Sequence, residues 1–144
     1  MTTLTSEQLF QCINEVIVSE RLFLDPKFGR QTILDRFHLS KDRVGAAFAQ
    51  GSCHDSLTDY VQELRLDYAA RLLTGQPGTT ISDVAYRSGF TSARYFSRRF
   101  RQRFGMSPSD YQVTFIINFY LFIFESKYKY EKKIIWGYMD TSGL

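Results

Sequence analysis

From Ser6 to Leu22 the apolar residues Leu9, Phe10, Ile13, Val16 and Ile17 recur at intervals of three and four, the period of a helix with one buried face. Thr5 and Gln8, three apart, form a capping-box pair at its start. Asp25-Pro26 through Gly29 interrupts the pattern. Gln31 to Phe37 resumes it as a short second helix with Ile33, Leu34 and Phe37 on one face. His38-Leu39-Ser40 turns the chain, Ser40 stands where a third helix needs its N-cap, Val44 and Phe48 give that helix its stripe, and Gly51 ends it. A long fourth helix is predicted from about Ser56 to Leu73, with Leu57, Tyr60, Val61, Leu64, Tyr68, Leu72 and Leu73 inward and Gly75, Pro77 and Gly78 closing it. Thr80, with Asp83 at the capping-box position, opens a fifth helix that carries Ile81, Val84 and Ala85 toward the core. After Gly89-Phe90, Thr91 or Ser92 starts a sixth, in which Phe96, Phe100 and Phe104 recur every four residues until Gly105. Ser107-Pro108-Ser109-Asp110 supplies the N-cap, first-position proline and first-turn carboxylate of a seventh. The pattern predicts an all-α chain of about seven helices.

Two segments of this pattern repeat. Ile33, Leu34, His38, Leu39 and Ser40 fall on Val84, Ala85, Gly89, Phe90 and Thr91, and each copy reads as short helix, tight turn, longer helix. That is the helix-turn-helix arrangement, whose turn needs a compact or left-handed residue and whose second helix fits a major groove. A single copy is a weak signal, whereas two copies joined by a long helix are specific. The expected architecture is therefore two helix-turn-helix subdomains connected by a linker helix.

Length and composition agree with one core-forming domain plus a tail. The chain has 144 residues, 44% of them hydrophobic, 23% charged and 16% aromatic, the last figure high for a soluble domain. Cys12 and Cys53 lie far apart with no ligand spacing around them, and His38 and His54 do not complete a four-ligand set, so both cysteines read as reduced thiols and no metal or cofactor is expected. No Ser/His/Asp, paired-carboxylate or phosphate-loop constellation sits on a plausible scaffold, which argues against an enzyme. Met1 to Ser6 shows no basic stretch followed by an apolar one, and a cytoplasmic location is expected.

The net charge of +3 permits nucleic acid without requiring it, and its distribution says more. Arg87, Arg94, Arg98, Arg99, Arg101 and Arg103 crowd one stretch, opposed nearby in sequence only by Asp83 and Asp110. With Phe96, Phe100 and Phe104 inward, Arg94, Arg98 and Arg101 fall along another face of the sixth helix. The planar guanidinium fork matches guanine O6 and N7, or a phosphate, better than an ammonium does. Arg94 and Arg98 are thus candidate base readers. Arg101, with Thr91 and Ser92 at the helix start, is placed for phosphates.

These residues resemble a known family. Ile81-Ser82-Asp83-Val84-Ala85, Ser88-Gly89-Phe90, Tyr95-Phe96-Ser97-Arg98-Arg99-Phe100 and Phe104-Gly105-Met106-Ser107-Pro108-Ser109-Asp110-Tyr111 are similar to the AraC/XylS signature, and Arg65 to Leu73 resembles its linker helix. The resemblance covers about Phe28 to Gln112. It implies two reading heads that enter successive major grooves on one face of double-stranded DNA, promoter binding, and contact with RNA polymerase. Its base-reading positions fall on Arg94, Ser97 and Arg98, beside Ala93. On the third helix they fall on Asp42, Gly45 and Ala46, where the family often has long polar or basic side chains. Gly45, Ala46 and Ala47 have no side chain that hydrogen-bonds a base edge, though an alanine methyl still suits thymine. The expectation is asymmetric readout: the second unit specifies sequence, and Ser40, Lys41 and Arg43 in the first mainly hold phosphates.

The division expected is an N-terminal helix and turn (1–28), the double helix-turn-helix domain (29–112) and an atypical apolar, aromatic tail (113–144). The separate sensing domain common in the family has no counterpart in the residues before Gly29. After Gln112 the composition shifts to Phe, Ile, Tyr and Lys. Val113 to Phe124 falls short of the roughly 20 apolar residues a membrane span needs, so no span is expected. Three readings fit this tail: extra packing of the seventh helix, a peripheral membrane or partner-binding segment, or translated sequence foreign to the original gene, which its A/T-rich-codon residues favour. Its aromatic stretch is also β-prone. A monomer is the default, because paired motifs already supply two reading heads. The competing reading is a truncated remnant or protein-interaction module that keeps the fold without specific DNA binding.

Overall fold

The described residues form seven α-helices, α1 (Ser6–Ser19), α2 (Arg30–Phe37), α3 (Lys41–Gly51), α4 (Leu57–Gly75), α5 (Ile81–Arg87), α6 (Ala93–Phe104) and α7 (Pro108–Thr141), with one 3-10 turn at Leu22–Leu24. The computed structural model describes residues 3–141, and side chains through 133; the end of the 113–144 segment lies outside the described residues. No strand occurs among those described.

Every helix but α2, which starts at Gly29 without a side-chain cap, begins at a hydroxyl side chain. Thr5 and Gln8 form a reciprocal capping box. Ser40, Ser56, Thr80, Ser92 and Ser107 each accept the backbone N–H three residues on, a contribution of about 1 kcal/mol per cap. Between Thr91 and Ser92 the cap is Ser92. α1 ends at Ser19 rather than reaching Leu22, because Arg21 adopts a left-handed conformation (φ 53°) and the chain folds back into the 3-10 turn. That reversal drives Phe23 into the core.

Two apolar cores share α4. The first joins Leu9, Phe10, Ile13 and Ile17 of α1 to Phe23, Phe28, Ile33, Val44, Ala47, Phe48, Leu57 and Val61. The second joins Leu66, Ala69, Leu72 and Leu73 of α4 to Val84, Ala85, Phe90, Phe96 and Phe100. Much of the aromatic content works here. Phe10 meets Phe48 edge-on at 5.3 Å and Tyr60 at 5.5 Å; Phe100 lies 4.4 Å from Phe104 and 5.3 Å from Tyr111. Such pairs add about 0.5–1.5 kcal/mol beyond area burial.

One buried charge stitches the two halves. Arg65 of α4 is only 7% exposed. Its Nε donates to the Phe23 carbonyl at 2.7 Å and its Nη2 to the Asp25 carbonyl at 2.9 Å. Burial draws its pKa down, opposed by Asp25 and Tyr95. An arginine begins so high that it stays charged at neutral pH. The inward stripe read off α4 thus lacked four residues that the fold buries, Leu66, Ala69, Ala70 and the polar Arg65 that bonds across it.

The change in composition after Gln112 is not a change of element. α7 runs unbroken for 34 residues, about 50 Å at helical rise. Gln112 donates to the Leu73 and Pro77 carbonyls at 3.4 and 3.2 Å, Ile116 is half-buried, and Phe119 and Tyr120 still line a cleft with Thr74 and Pro77; residues 117–133 are all exposed. No helix among the described residues is long and apolar enough to cross a membrane.

Candidate nucleic-acid interface

The two turns share a left-handed residue and the closing bond that follows it. His38 sits at φ 53° and Gly89 at φ 88°. Leu39 N–H donates to the Leu34 carbonyl at 3.2 Å, and Phe90 N–H to the Ala85 carbonyl at 3.0 Å. Both bonds join the residue after the left-handed one to a carbonyl five positions back, a helix-closing geometry that aims the next helix away from the first. α3 and α6 therefore occupy equivalent places in two copies of one motif.

On α6 the phenylalanines at 96 and 100 are buried and 104 is half-buried, while Arg94, Arg98 and Arg101 are exposed and Ser97 half-exposed. The other arginines of the stretch have internal partners. Arg103 donates to Glu63 at 2.5 Å and lies 3.9 Å from Asp67, both on α4; the Glu63 hydrogen bond and charge hold its pKa above the ordinary value. Arg87 donates to Gln76 at 2.7 Å and Arg99 to Gln102 at 3.4 Å. This sorting was invisible in sequence, because Glu63 and Asp67 lie some 40 positions upstream.

A shallow cleft of about 290 Å³ is lined by Ser92, Arg94, Tyr95 and Arg98. The Arg98 guanidinium lies 5.4 Å from the centroid of the Tyr95 ring, and that ring in turn lies 6.2 Å from Phe90. An aromatic face attracts a guanidinium and restricts its plane. Tyr95, which the sequence analysis named only as part of a motif, thus supports the arginine at the centre of the candidate face. Its spacing three before Arg98 was the available signal.

The first unit is plainer. Lys41, Arg43 and Gly45 are exposed, Ala46 is half-buried, and Ala47 belongs to the core. Arg43 Nη2 reaches the Leu4 carbonyl at 3.4 Å. Ser40 and Ser92 spend an acceptor site on capping, which leaves each hydroxyl proton available to a phosphate. Thr91 is exposed beside Ser92. A Cβ at Gly45 would meet nothing within 4 Å, so Gly45→Ala should stabilise the protein by about 0.5–1 kcal/mol. Thermal unfolding checks this, and a lowered midpoint would contradict it.

An all-helical chain with two helix-turn-helix units on a shared helix defines the class. The profile of a helix-turn-helix domain family matches residues 33–113, more than half of the chain, and the chain belongs to this family, of the AraC type. It is 43% identical over 61 residues to the "HTH-type transcriptional activator RhaR" of Yersinia pseudotuberculosis, a stretch that is 42% of this chain and 21% of that protein. It is also 43% identical over 54 residues to the "Histidine kinase P4" of Formosa agariphila, 38% of this chain and 4% of that protein. The chain thus matches about a fifth or less of the length of these relatives. Among solved structures it resembles the C-terminal domain of the two-component response regulator yesN from Fusobacterium nucleatum (TM-score 0.62, 21% identity, 74% of this chain and 97% of that one). It also resembles the C-terminal domain of AraT, a response regulator from Geobacillus stearothermophilus (TM-score 0.61, 22% identity, 76% and 81%). The family is a helix-turn-helix domain of the AraC type, which the chain shares with a protein named as a transcriptional activator.

Proposed function

We propose that the chain is a cytoplasmic transcription regulator that binds a promoter sequence-specifically, works beside RNA polymerase, and reads bases mainly through α6. The observation that carries this is the row of exposed arginines, Arg94, Arg98 and Arg101, on the second helix of a helix-turn-helix unit whose other arginines are tied to side chains of the protein itself. Arg94, Ser97 and Arg98 face base edges, with Tyr95 steadying Arg98. Thr91, Ser92 and Arg101 hold the flanking phosphates, and Ser40, Lys41 and Arg43 hold those of the neighbouring groove.

Base contacts and phosphate contacts fail differently. Arg98→Ala or Arg94→Ala should cost roughly 1–3 kcal/mol on the preferred site and relax one base position. Lys41→Ala should weaken all sequences alike and lower the salt slope by about one unit. Selection from randomised duplex DNA at fixed salt, followed by titrations of the three variants, distinguishes them. A single short guanine-containing motif supports asymmetric readout; two motifs a helical turn apart show α3 reading bases as well. No enrichment, or equal sequence-independent losses from all three variants, overturns the proposal in favour of a remnant that keeps only the fold.

A further inference from the structure

We infer that Asp42 is a specificity-determining residue of the first unit, its carboxylate accepting a hydrogen bond from the N4 amino group of a cytosine about one helical turn along the duplex from the bases read by α6. This rests on the proposal that both units engage one duplex. It adds a single base position to a unit otherwise given to phosphates.

The place of Asp42 follows from the repeat. Ser40 caps α3 and Ser92 caps α6. Four residues after each cap stand the buried Val44 and Phe96, and four further on the buried Phe48 and Phe100. Counted from the caps, Asp42 occupies the place of Arg94, Gly45 that of Ser97, Ala46 that of Arg98 and Ala49 that of Arg101. Asp42, Gly45 and Ala49 are exposed and Ala46 is half-buried. α3 therefore presents the same face as α6, with three small residues and one acid on it.

That acid is not taken up by its own helix. Asp59 and Asp110, at the starts of α4 and α7, stand three residues after their caps and accept the cap hydroxyl at 2.8 and 2.7 Å. Asp42 stands two after Ser40, whose side chain takes the Arg43 N–H. Among the described residues the Asp42 carboxylate has no ion-pair partner. A carboxylate facing a polyanion costs affinity, and Lys41 and Arg43 on either side offset that cost.

Its chemistry selects one base. In the major groove guanine and thymine present acceptors that repel a carboxylate; adenine donates from N6 but sets the acceptor N7 beside it, and cytosine offers its N4 donor alone. An aspartate is short and has to sit close to the base edge. Gly45, where a Cβ would meet nothing within 4 Å, and the two alanines keep bulk off the face that approaches.

Selection from randomised duplex DNA with the full chain and with Asp42→Ala, followed by titration of duplexes carrying each base at the selected position, tests this. The parent should enrich a cytosine about one helical turn from the guanine-containing motif, and guanine in its place should weaken binding roughly 5- to 100-fold. Asp42→Ala should bring the four bases within about three-fold of one another while tightening binding to the guanine-substituted duplex, and Asp42→Arg should turn the preference to guanine. The position is exposed, so both variants should unfold as cooperatively as the parent. A gain from Asp42→Ala that is equal for all four bases overturns the inference and leaves the acid only a charge at a helix start. A cytosine preference that survives the substitution overturns it as well. The guanine-containing motif enriched without a cytosine beside it defeats this inference alone, whereas no enrichment at all defeats the reading on which it rests too.

Discussion

Gly89→Ala should destabilise the protein by about 2–4 kcal/mol, although it adds a single methyl group. Gly89 lies at φ 88°, where a Cβ would approach the Phe23 carbonyl oxygen at 2.7 Å, Arg65 Nε at 2.8 Å and the Leu24 carbonyl oxygen at 3.1 Å. The left-handed conformation alone costs a non-glycine residue on the order of 1 kcal/mol. Overpacking against backbone adds roughly 1–3 kcal/mol, since neither carbonyl is free to swing aside. Against a total stability of about 5–15 kcal/mol this is severe, and the thermal midpoint should fall by roughly 5–15 °C. The equivalent change in the first motif has the opposite sign. His38 is already left-handed and exposed, so His38→Gly should be neutral or stabilising by up to about 1 kcal/mol. Melts within a degree of each other for the parent and Gly89→Ala would show that this junction is looser than its distances imply.

That contrast also marks how far the sequence could be read. Local signals were legible because they act within a few residues: the hydroxyl caps, the Phe96, Phe100 and Phe104 stripe, and the equivalence of His38 with Gly89 all follow from short-range backbone rules. The candidate base readers were legible for the same reason, as positions on one helix face. What stayed hidden depends on residues distant in sequence. Arg65 reads as an ordinary exposed charge until Phe23 and Asp25, 42 and 40 positions earlier, turn out to be its acceptors. Arg103 reads as part of a DNA-facing cluster until α4 supplies Glu63 and Asp67. The early end of α1 was missed because nothing in Glu20-Arg21 breaks a helix; the stop comes from burying Phe23, a tertiary demand. The aromatic run after Gln112 scored as β-prone by residue type, yet it prolongs a helix already begun at Pro108.

The same junction gives the other large effect. Arg65→Met keeps the apolar stem and removes the guanidinium, leaving the Phe23 and Asp25 carbonyls without their donor. Hydrogen bonds from a charged group contribute about 1.5–3 kcal/mol each, and Phe23 lies within the first core, so a loss of roughly 3–5 kcal/mol is expected in urea unfolding. Arg65→Lys should recover only part of it, because one ammonium on a flexible stem does not reproduce the fork that spans both carbonyls. DNA binding should suffer beyond the loss of folded protein. The segment from Leu22 to Asp25 closes the first core and, through Arg65, touches the Gly89 turn that sets the direction of α6. If both motifs engage one duplex, slack here lowers the effective concentration of the second reading head once the first is bound. Affinity for a full selected site should then fall more than affinity for the guanine-containing part alone, compared at temperatures where the variant is folded. Because Arg65 and Gly89 share one contact, the double variant Arg65→Met, Gly89→Ala should lose less stability than the two single losses combined, by at least about 1 kcal/mol. Additive losses would mean that the turn and the buried arginine hold the two halves independently.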